Sequence, residues 1–159
     1  MHSISARSLF VLMAVVSVAL VGGALFMQEA FGLKPCPLCI LQRIAFLLVA
    51  VFSIVGFVVA KRPAMRWLGL GALLSAIAGA GVAAWHVRLH GAPESLSCGP
   101  GLATMLENFP LSHVLPKVFA GSGDCADPSA AVFGVSLAGW ALLGFIGLAL
   151  AAIGALARR

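Results

Sequence analysis

The chain has 159 residues, of which 62% are hydrophobic and only 9% are charged. This composition excludes an ordinary soluble domain and is typical of a protein embedded in a lipid bilayer. The net charge of +5 does not indicate a nucleic-acid partner, because the basic residues lie mostly at the ends of apolar segments and form no stripe with interleaved aromatics.

Four apolar segments are each long enough to cross about 30 Å of hydrocarbon as a helix. In chain order they are residues 9–27, 40–60, 67–85 and 137–156. The alternative for the first segment is a cleaved signal peptide. Its apolar run is longer than that of a usual signal peptide, and no convincing cleavage site precedes Gln28. We predict one all-α domain over residues 1–159, an antiparallel bundle of four transmembrane helices with longer loops at 28–39 and 88–135.

The positive charges predict the orientation of this bundle. They cluster at the two termini and in the tight connection between the second and third segments, at Arg7, Lys61, Arg62, Arg66, Arg158 and Arg159. Because Lys and Arg mark cytoplasmic loops, we expect both termini in the cytoplasm and the two longer loops on the opposite side. In a bacterium this places the chain in the inner membrane with both loops in the periplasm.

The third segment carries small residues at four-residue spacing, which predicts a face for close helix packing in lipid. Two adjacent rows are present: Ser75, Gly79 and Ala83, and beside them Ala76, Ala80 and Ala84.

All four cysteines fall on the outward side of the predicted bundle. Cys36 and Cys39 lie in the first loop and its junction with the second helix, and Cys98 and Cys125 lie in the second loop. In the periplasm thiols oxidise and disulfides persist. For Cys98 and Cys125 a purely stabilising disulfide therefore remains an alternative to a redox role.

Cys36 and Cys39 form a C-x-x-C pair at a helix start, which favours redox chemistry over a structural bridge. A bridge between them would close too small a loop to restrain the unfolded chain much, whereas a helix N-terminus favours a thiolate. The spacing does not predict a metal site, because zinc would require a second C-x-x-C or histidine knuckles nearby. Covalent haem attachment is excluded because Ile40, not histidine, follows Cys39.

Two basic side chains are candidates for the same site. Arg43 lies four residues after Cys39, on the same helix face, where its charge would stabilise a thiolate or an anionic ligand. The alternative is that Arg43 only extends to the membrane interface. His86, at the outward end of the third segment, has the alternative of an interfacial histidine bonded to backbone.

Three stretches together resemble the DsbB family of bacterial inner-membrane disulfide-generating proteins. They are "CPLCILQR" opening the second helix, "WHVRLH" closing the third, and "VFAGSGDCA" ahead of the fourth. The resemblance covers nearly the whole chain. Within the first stretch, Gln42 stands where an acidic residue can occur in the family, and Pro37 lies between the paired cysteines.

The resemblance implies a relay of disulfides through the four catalytic cysteines. A reduced, periplasmic DsbA-like oxidoreductase attacks the Cys98–Cys125 disulfide at Cys98, and Cys125 leaves as a thiolate. Cys125 then attacks Cys36 and releases Cys39. The electrons pass to a membrane quinone, either ubiquinone or menaquinone, in an enzyme that would be a quinone-dependent oxidoreductase.

The resemblance also implies that Arg43 and His86 hold the quinone and the developing negative charge. Two other classes of function are alternatives. A non-catalytic membrane protein with two structural disulfides has no use for Arg43 beside Cys39. A transporter carrying electrons outward from cytoplasmic thiols would need cysteines within the membrane or on its cytoplasmic side, and the sequence places none there.

Overall fold

In a computed structural model, residues 5–59, 62–90, 131–132 and 134–157 are described. They form four long helices and one short hairpin: α1 (Ala6–Phe31), α2 (Pro37–Val59), α3 (Arg62–His90), β1 (Ala131–Val132), β2 (Val135–Ser136) and α4 (Leu137–Ala157). All four helices are long and apolar enough to cross a membrane. The prediction of an all-α bundle with four spans is confirmed.

Local sequence signals set both ends of α1. Ser5 caps its N-terminus, where the hydroxyl accepts a hydrogen bond of 3.2 Å from the Ser8 backbone N–H. Gly32 follows the last turn in the left-handed conformation, with φ of 62°, which glycine adopts without steric cost. Because the helix ends there, a short link returns the chain to Pro37 at the start of α2.

A short antiparallel hairpin precedes α4. Val132 pairs with Val135, and Gly134 in the connection has φ of 78°. Ser136 then caps α4, because its hydroxyl accepts a hydrogen bond of 3.2 Å from the Gly139 N–H. This region was predicted to be loop, because two strands of two residues each are too short for an alternating pattern to show.

The four helices pack around a central core in chain order. α1 lies against α2 and α4, α3 lies against the same two helices, and α2 and α4 have only slight contact across the bundle. The core includes Leu9, Phe10 and Met13 of α1. Many large apolar side chains of the described helices remain exposed on the outside, as expected for surfaces that face lipid.

The small-residue face of α3 packs as predicted. Ala76 and Ala83 are fully buried, and Gly79 lies so close to the Phe145 ring of α4 that an added Cβ would overlap it. Phe145 in turn stacks on Phe46 of α2, with ring centroids 3.8 Å apart and planes inclined by 8°. Gly79 therefore fixes how closely α3 and α4 approach, and the aromatic pair ties α4 to α2.

We expect Gly79→Ala to destabilise the bundle by about 1–3 kcal/mol, because the new methyl group displaces Phe145 from its stack on Phe46. Unfolding of the purified protein in detergent micelles by increasing sodium dodecyl sulfate measures the difference. Gly81→Ala is the matched control, since an added Cβ there meets nothing within 4 Å. Equal stability of the two variants would contradict this description of the α3–α4 contact.

Candidate active site

Cys36 occupies the capping position at the N-terminus of α2. Pro37 follows as the first helical residue, where the missing backbone N–H is not needed. The Ile40 N–H donates to the Cys36 carbonyl oxygen at 3.2 Å, and the Cys39 N–H donates to the Cys36 sulfur, also at 3.2 Å. The sulfur thus serves as the helix cap, so its position relative to Cys39 is fixed by the first turn of α2.

The two thiols are in direct contact. Cys36 Sγ donates to Cys39 Sγ at 2.9 Å, and both residues are free cysteines. Cys36 is 3% exposed, whereas Cys39 is partly exposed. Backbone N–H groups and the helix dipole in the first turn favour a negative charge on this pair.

The charge on the reduced pair belongs to Cys39. The hydrogen bond that Cys36 donates to Cys39, the burial of Cys36 and the negative charge of Cys39 together raise the pKa of the Cys36 thiol far above its ordinary value. Cys36 therefore keeps its proton and shares it with the sulfur of Cys39. This leaves Cys39 as the sulfur that is more exposed and that carries the charge.

His86 brings α3 to the same point. Its Nε2 lies 3.5 Å from Cys36 Sγ, and its Nδ1 lies 3.1 Å from Gln42 Nε2 on α2. The imidazole is 3% exposed and Gln42 is 6% exposed. Because His86 contacts two side chains of α2, it belongs to the cysteine site. The alternative of an interfacial histidine bonded only to backbone does not explain these contacts.

Arg43 also turns into the protein. It is 6% exposed, and its Nη2 donates a hydrogen bond of 2.9 Å to Gln28 Oε1 near the end of α1. Its charge acts on both Cys36 and Cys39. The alternative that Arg43 only extends to the membrane interface does not fit a guanidinium covered by protein and bonded to α1.

Comparison with known proteins agrees with this arrangement. Residues 6–155 match the model of the family described as "Disulfide bond formation protein DsbB". The chain belongs to the DsbB family. It is similar to the disulfide bond formation protein B of Saccharophagus degradans, with 45% identity over 82% of this chain and 81% of that protein. It shares 40% identity with the protein of the same name from Cupriavidus metallidurans, over 98% of this chain and 95% of the relative.

Membership of the DsbB family, together with four membrane-spanning helices, makes the chain a multi-pass membrane oxidoreductase of disulfide bond formation. Of the six site residues named from the sequence, the structure brings together Cys36, Cys39, Arg43 and His86. Cys98 and Cys125 lie outside the described residues.

The DsbB-family site also contains two glutamines that the sequence analysis did not assign. Gln42 stands within the quoted "CPLCILQR" stretch, one residue before Arg43, and its partner on α3 is distant in sequence. Gln28 ends an apolar segment, where a polar residue is common and carries no signal. Only the packing of α1 and α3 against α2 identifies them as partners of Arg43 and His86.

Cys36, Cys39 and His86 also present three possible metal-ligand atoms within 4.8 Å of one another. His86 is distant from both cysteines along the chain, so their spacing in the sequence gave no sign of this third ligand atom. Zn–S bonds of about 2.3 Å at tetrahedral angles hold two sulfurs about 3.8 Å apart. The observed separation of 2.9 Å is much shorter, so the two sulfurs are not spaced as ligands of one zinc ion.

We expect Cys39→Ala to lower the pKa of Cys36, because the variant removes both the hydrogen-bond acceptor and the negative charge that raise it. Burial remains and keeps the pKa above that of a free thiol. The measurement is the rate of Cys36 alkylation as a function of pH, followed by mass spectrometry. In the reduced wild type the Cys36 rate rises only at high pH, and in Cys39→Ala the rise occurs at lower pH. An unchanged profile would contradict the proposed sharing of the proton.

Proposed function

We propose that this chain reoxidises a periplasmic DsbA-like thiol oxidase and passes the electrons to a membrane quinone. The observation that carries the proposal is the reduced Cys36–Cys39 pair at the N-terminus of α2, in contact with His86 and within the electrostatic reach of Arg43. A structural disulfide needs neither basic group. A thiol pair that repeatedly gains and loses charge at the edge of the hydrocarbon needs both.

The first step is exchange with the protein substrate. A thiolate of the partner attacks Cys98 in the Cys98–Cys125 disulfide, a mixed disulfide forms, and Cys125 leaves as a thiolate. The second thiol of the partner then displaces Cys98, so the partner leaves oxidised. Each exchange breaks one disulfide and forms another, and the two electrons of the partner now reside on this chain.

The second step carries the electrons to the membrane surface. Cys125 attacks Cys36 of the Cys36–Cys39 disulfide, and Cys39 leaves as a thiolate. Cys98 then displaces Cys36, which restores the Cys98–Cys125 disulfide and leaves the Cys36–Cys39 pair reduced. The geometry of α2 supports Cys39 as the leaving group, because the N-terminus of the helix and the charge of Arg43 both favour a thiolate on Cys39.

The donor set of the site fits a quinone. The carbonyl oxygens of a quinone accept hydrogen bonds, and Arg43 is an N–H donor held in the site by Gln28 of α1. The imidazole of His86, held by Gln42 of α2, lies beside the thiol pair. A bound quinone would supply the two-electron oxidant that returns Cys36 and Cys39 to the disulfide. In this account Arg43 stabilises negative charge, His86 orients the acceptor, and the surrounding helices exclude water.

The positive charges support a location in the bacterial inner membrane. Arg7 and Arg66 lie at one end of the described bundle and the paired cysteines at the other, which supports a periplasmic location for the thiol pair. Both termini are then cytoplasmic, and the DsbA-like partner reaches the cysteines from the periplasm.

To test entry through Cys98, we use a DsbA-like partner that keeps only its attacking cysteine, activated as a mixed disulfide with thionitrobenzoate. In Cys125→Ser, with Cys36 and Cys39 oxidised, Cys98 displaces one thionitrobenzoate and remains joined to the partner, because no sulfur resolves the bond. Non-reducing electrophoresis and mass spectrometry detect the adduct. Cys98→Ser should give no such adduct and no turnover with the partner, and full turnover of Cys98→Ser would overturn the relay.

Arg43 offers a test of the quinone step. Loss of a hydrogen bond to a charged group costs about 1.5–3 kcal/mol, so Arg43→Gln should reduce quinone-dependent turnover at least about tenfold, mainly through a higher quinone KM. The quinone-dependent turnover of Arg43→Lys should fall between that of the wild type and that of Arg43→Gln. Arg66→Gln is the control, because it removes an exposed arginine at the opposite end of the bundle. Steady-state quinone titrations measure these changes. Wild-type kinetics for Arg43→Gln would show that Arg43 does not take part in the quinone step.

A further inference from the structure

We propose that Gln42 is a positioning residue that sets the tautomer of His86 and thereby directs the negative charge of the reduced pair to Cys39. The use of that charge in electron transfer rests on the proposed function. The hydrogen-bond arrangement does not, and it is tested separately below.

Gln42 is buried within a membrane-spanning helix, where a polar side chain is costly unless it is bonded. It is 6% exposed, and its Nε2 lies 3.1 Å from Nδ1 of His86, which is itself 3% exposed. Both residues lie on long helices packed against each other, α2 and α3. The contact is therefore held by the bundle and replaces water that neither group can reach.

The chemistry of the amide determines the direction of the hydrogen bonds. An amide nitrogen only donates, so Nδ1 of His86 must accept, and the proton of a neutral imidazole then lies on Nε2. That Nε2–H points to Cys36 Sγ at 3.5 Å, and the Cys36 thiol donates to Cys39 Sγ at 2.9 Å. The three hydrogen bonds run in one direction, from Gln42 through His86 and Cys36 to Cys39.

This direction determines where the charge resides. With Nε2 protonated, His86 cannot take the proton of Cys36, so Cys36 remains a thiol and the charge stays on Cys39. In the other tautomer Nε2 carries a lone pair, and the imidazole competes for the Cys36 proton. Negative charge would then develop on Cys36 as well, the buried sulfur that caps α2, and would no longer be confined to Cys39.

Oxidation of the pair needs a separate path for one proton. When the reduced pair returns to the disulfide, the thiol of Cys36 and the thiolate of Cys39 lose two electrons and one proton, and the quinone, when bound, would take up the electrons and the proton. Because Nε2 of His86 is already protonated, His86 does not accept the Cys36 proton while Gln42 donates to Nδ1. Gln42 thus holds the proton on Cys36 in the resting state.

The test uses the full-length reduced protein in detergent, without quinone or partner. Histidines are labelled with ¹⁵N, and the His86 resonances are assigned by their loss in His86→Phe. The expected wild-type signature is a protonated Nε2 and a bare Nδ1. Gln42→Glu, which keeps the size of the side chain but as a carboxylate only accepts, should protonate Nδ1, and Gln42→Leu should give a mixture of tautomers.

Alkylation gives the second readout. The ratio of Cys39 to Cys36 modification should fall about two- to tenfold in Gln42→Leu, the range expected for loss of one neutral hydrogen bond of about 0.5–1.5 kcal/mol. Gln28→Leu is the matched control. It removes an amide from Arg43 instead of His86, so the His86 tautomer should remain that of the wild type.

A wild-type His86 protonated on Nδ1, or a tautomer unchanged in both Gln42 variants, overturns the proposal. If Gln42→Leu fails to insert into the membrane, the ¹⁵N signature of His86 in Gln42→Glu tests the proposal on its own. Because neither measurement requires turnover, a failure of the quinone relay leaves this result intact. Conversely, a changed tautomer with normal quinone turnover would limit the role of Gln42 to the resting state.

Discussion

The first turn of α2 must hold a negative charge at the edge of a hydrocarbon layer, and the rest of the structure depends on how it does so. A thiolate surrounded by apolar side chains is costly unless hydrogen bonds and a positive charge stabilise it. Here the backbone N–H of Cys39 donates a hydrogen bond to the sulfur of Cys36, and the Cys36 thiol donates to the sulfur of Cys39. The charge of Arg43 acts on both cysteines. The helix N-terminus adds its own partial positive charge.

No single helix supplies these groups. α1 contributes Gln28, which holds Arg43, and α3 contributes His86, which contacts Cys36. The polar partners are therefore in place only when α1, α2 and α3 are packed. The approach of α3 to α4 depends in turn on Gly79 against Phe145, so packing deep in the bundle and the chemistry at its end are parts of one assembly.

Sequence alone could predict the four spans, since runs of about 20 apolar residues are typical of transmembrane helices. It could also place Cys36 and Cys39 at a helix start and Arg43 one turn further, because these relations are local. The contacts of His86 and Gln28 were beyond its reach, since they depend on which faces of different helices meet. Gln42 had a local position but no visible role until its partner on α3 was known, and the short hairpin before α4 left no periodic signal.

The most direct test of the account is an anaerobic reaction of the purified protein with a reduced DsbA-like oxidase and a quinone. Quinone absorbance and substrate thiols are followed in the same sample. We expect one quinone to be reduced for every two substrate thiols lost. In Cys39→Ala we expect no quinone reduction, and a loss of substrate thiols no larger than the single Cys98–Cys125 disulfide can oxidise. Continued loss of thiols without quinone reduction, or full coupling in Cys39→Ala, would contradict the relay.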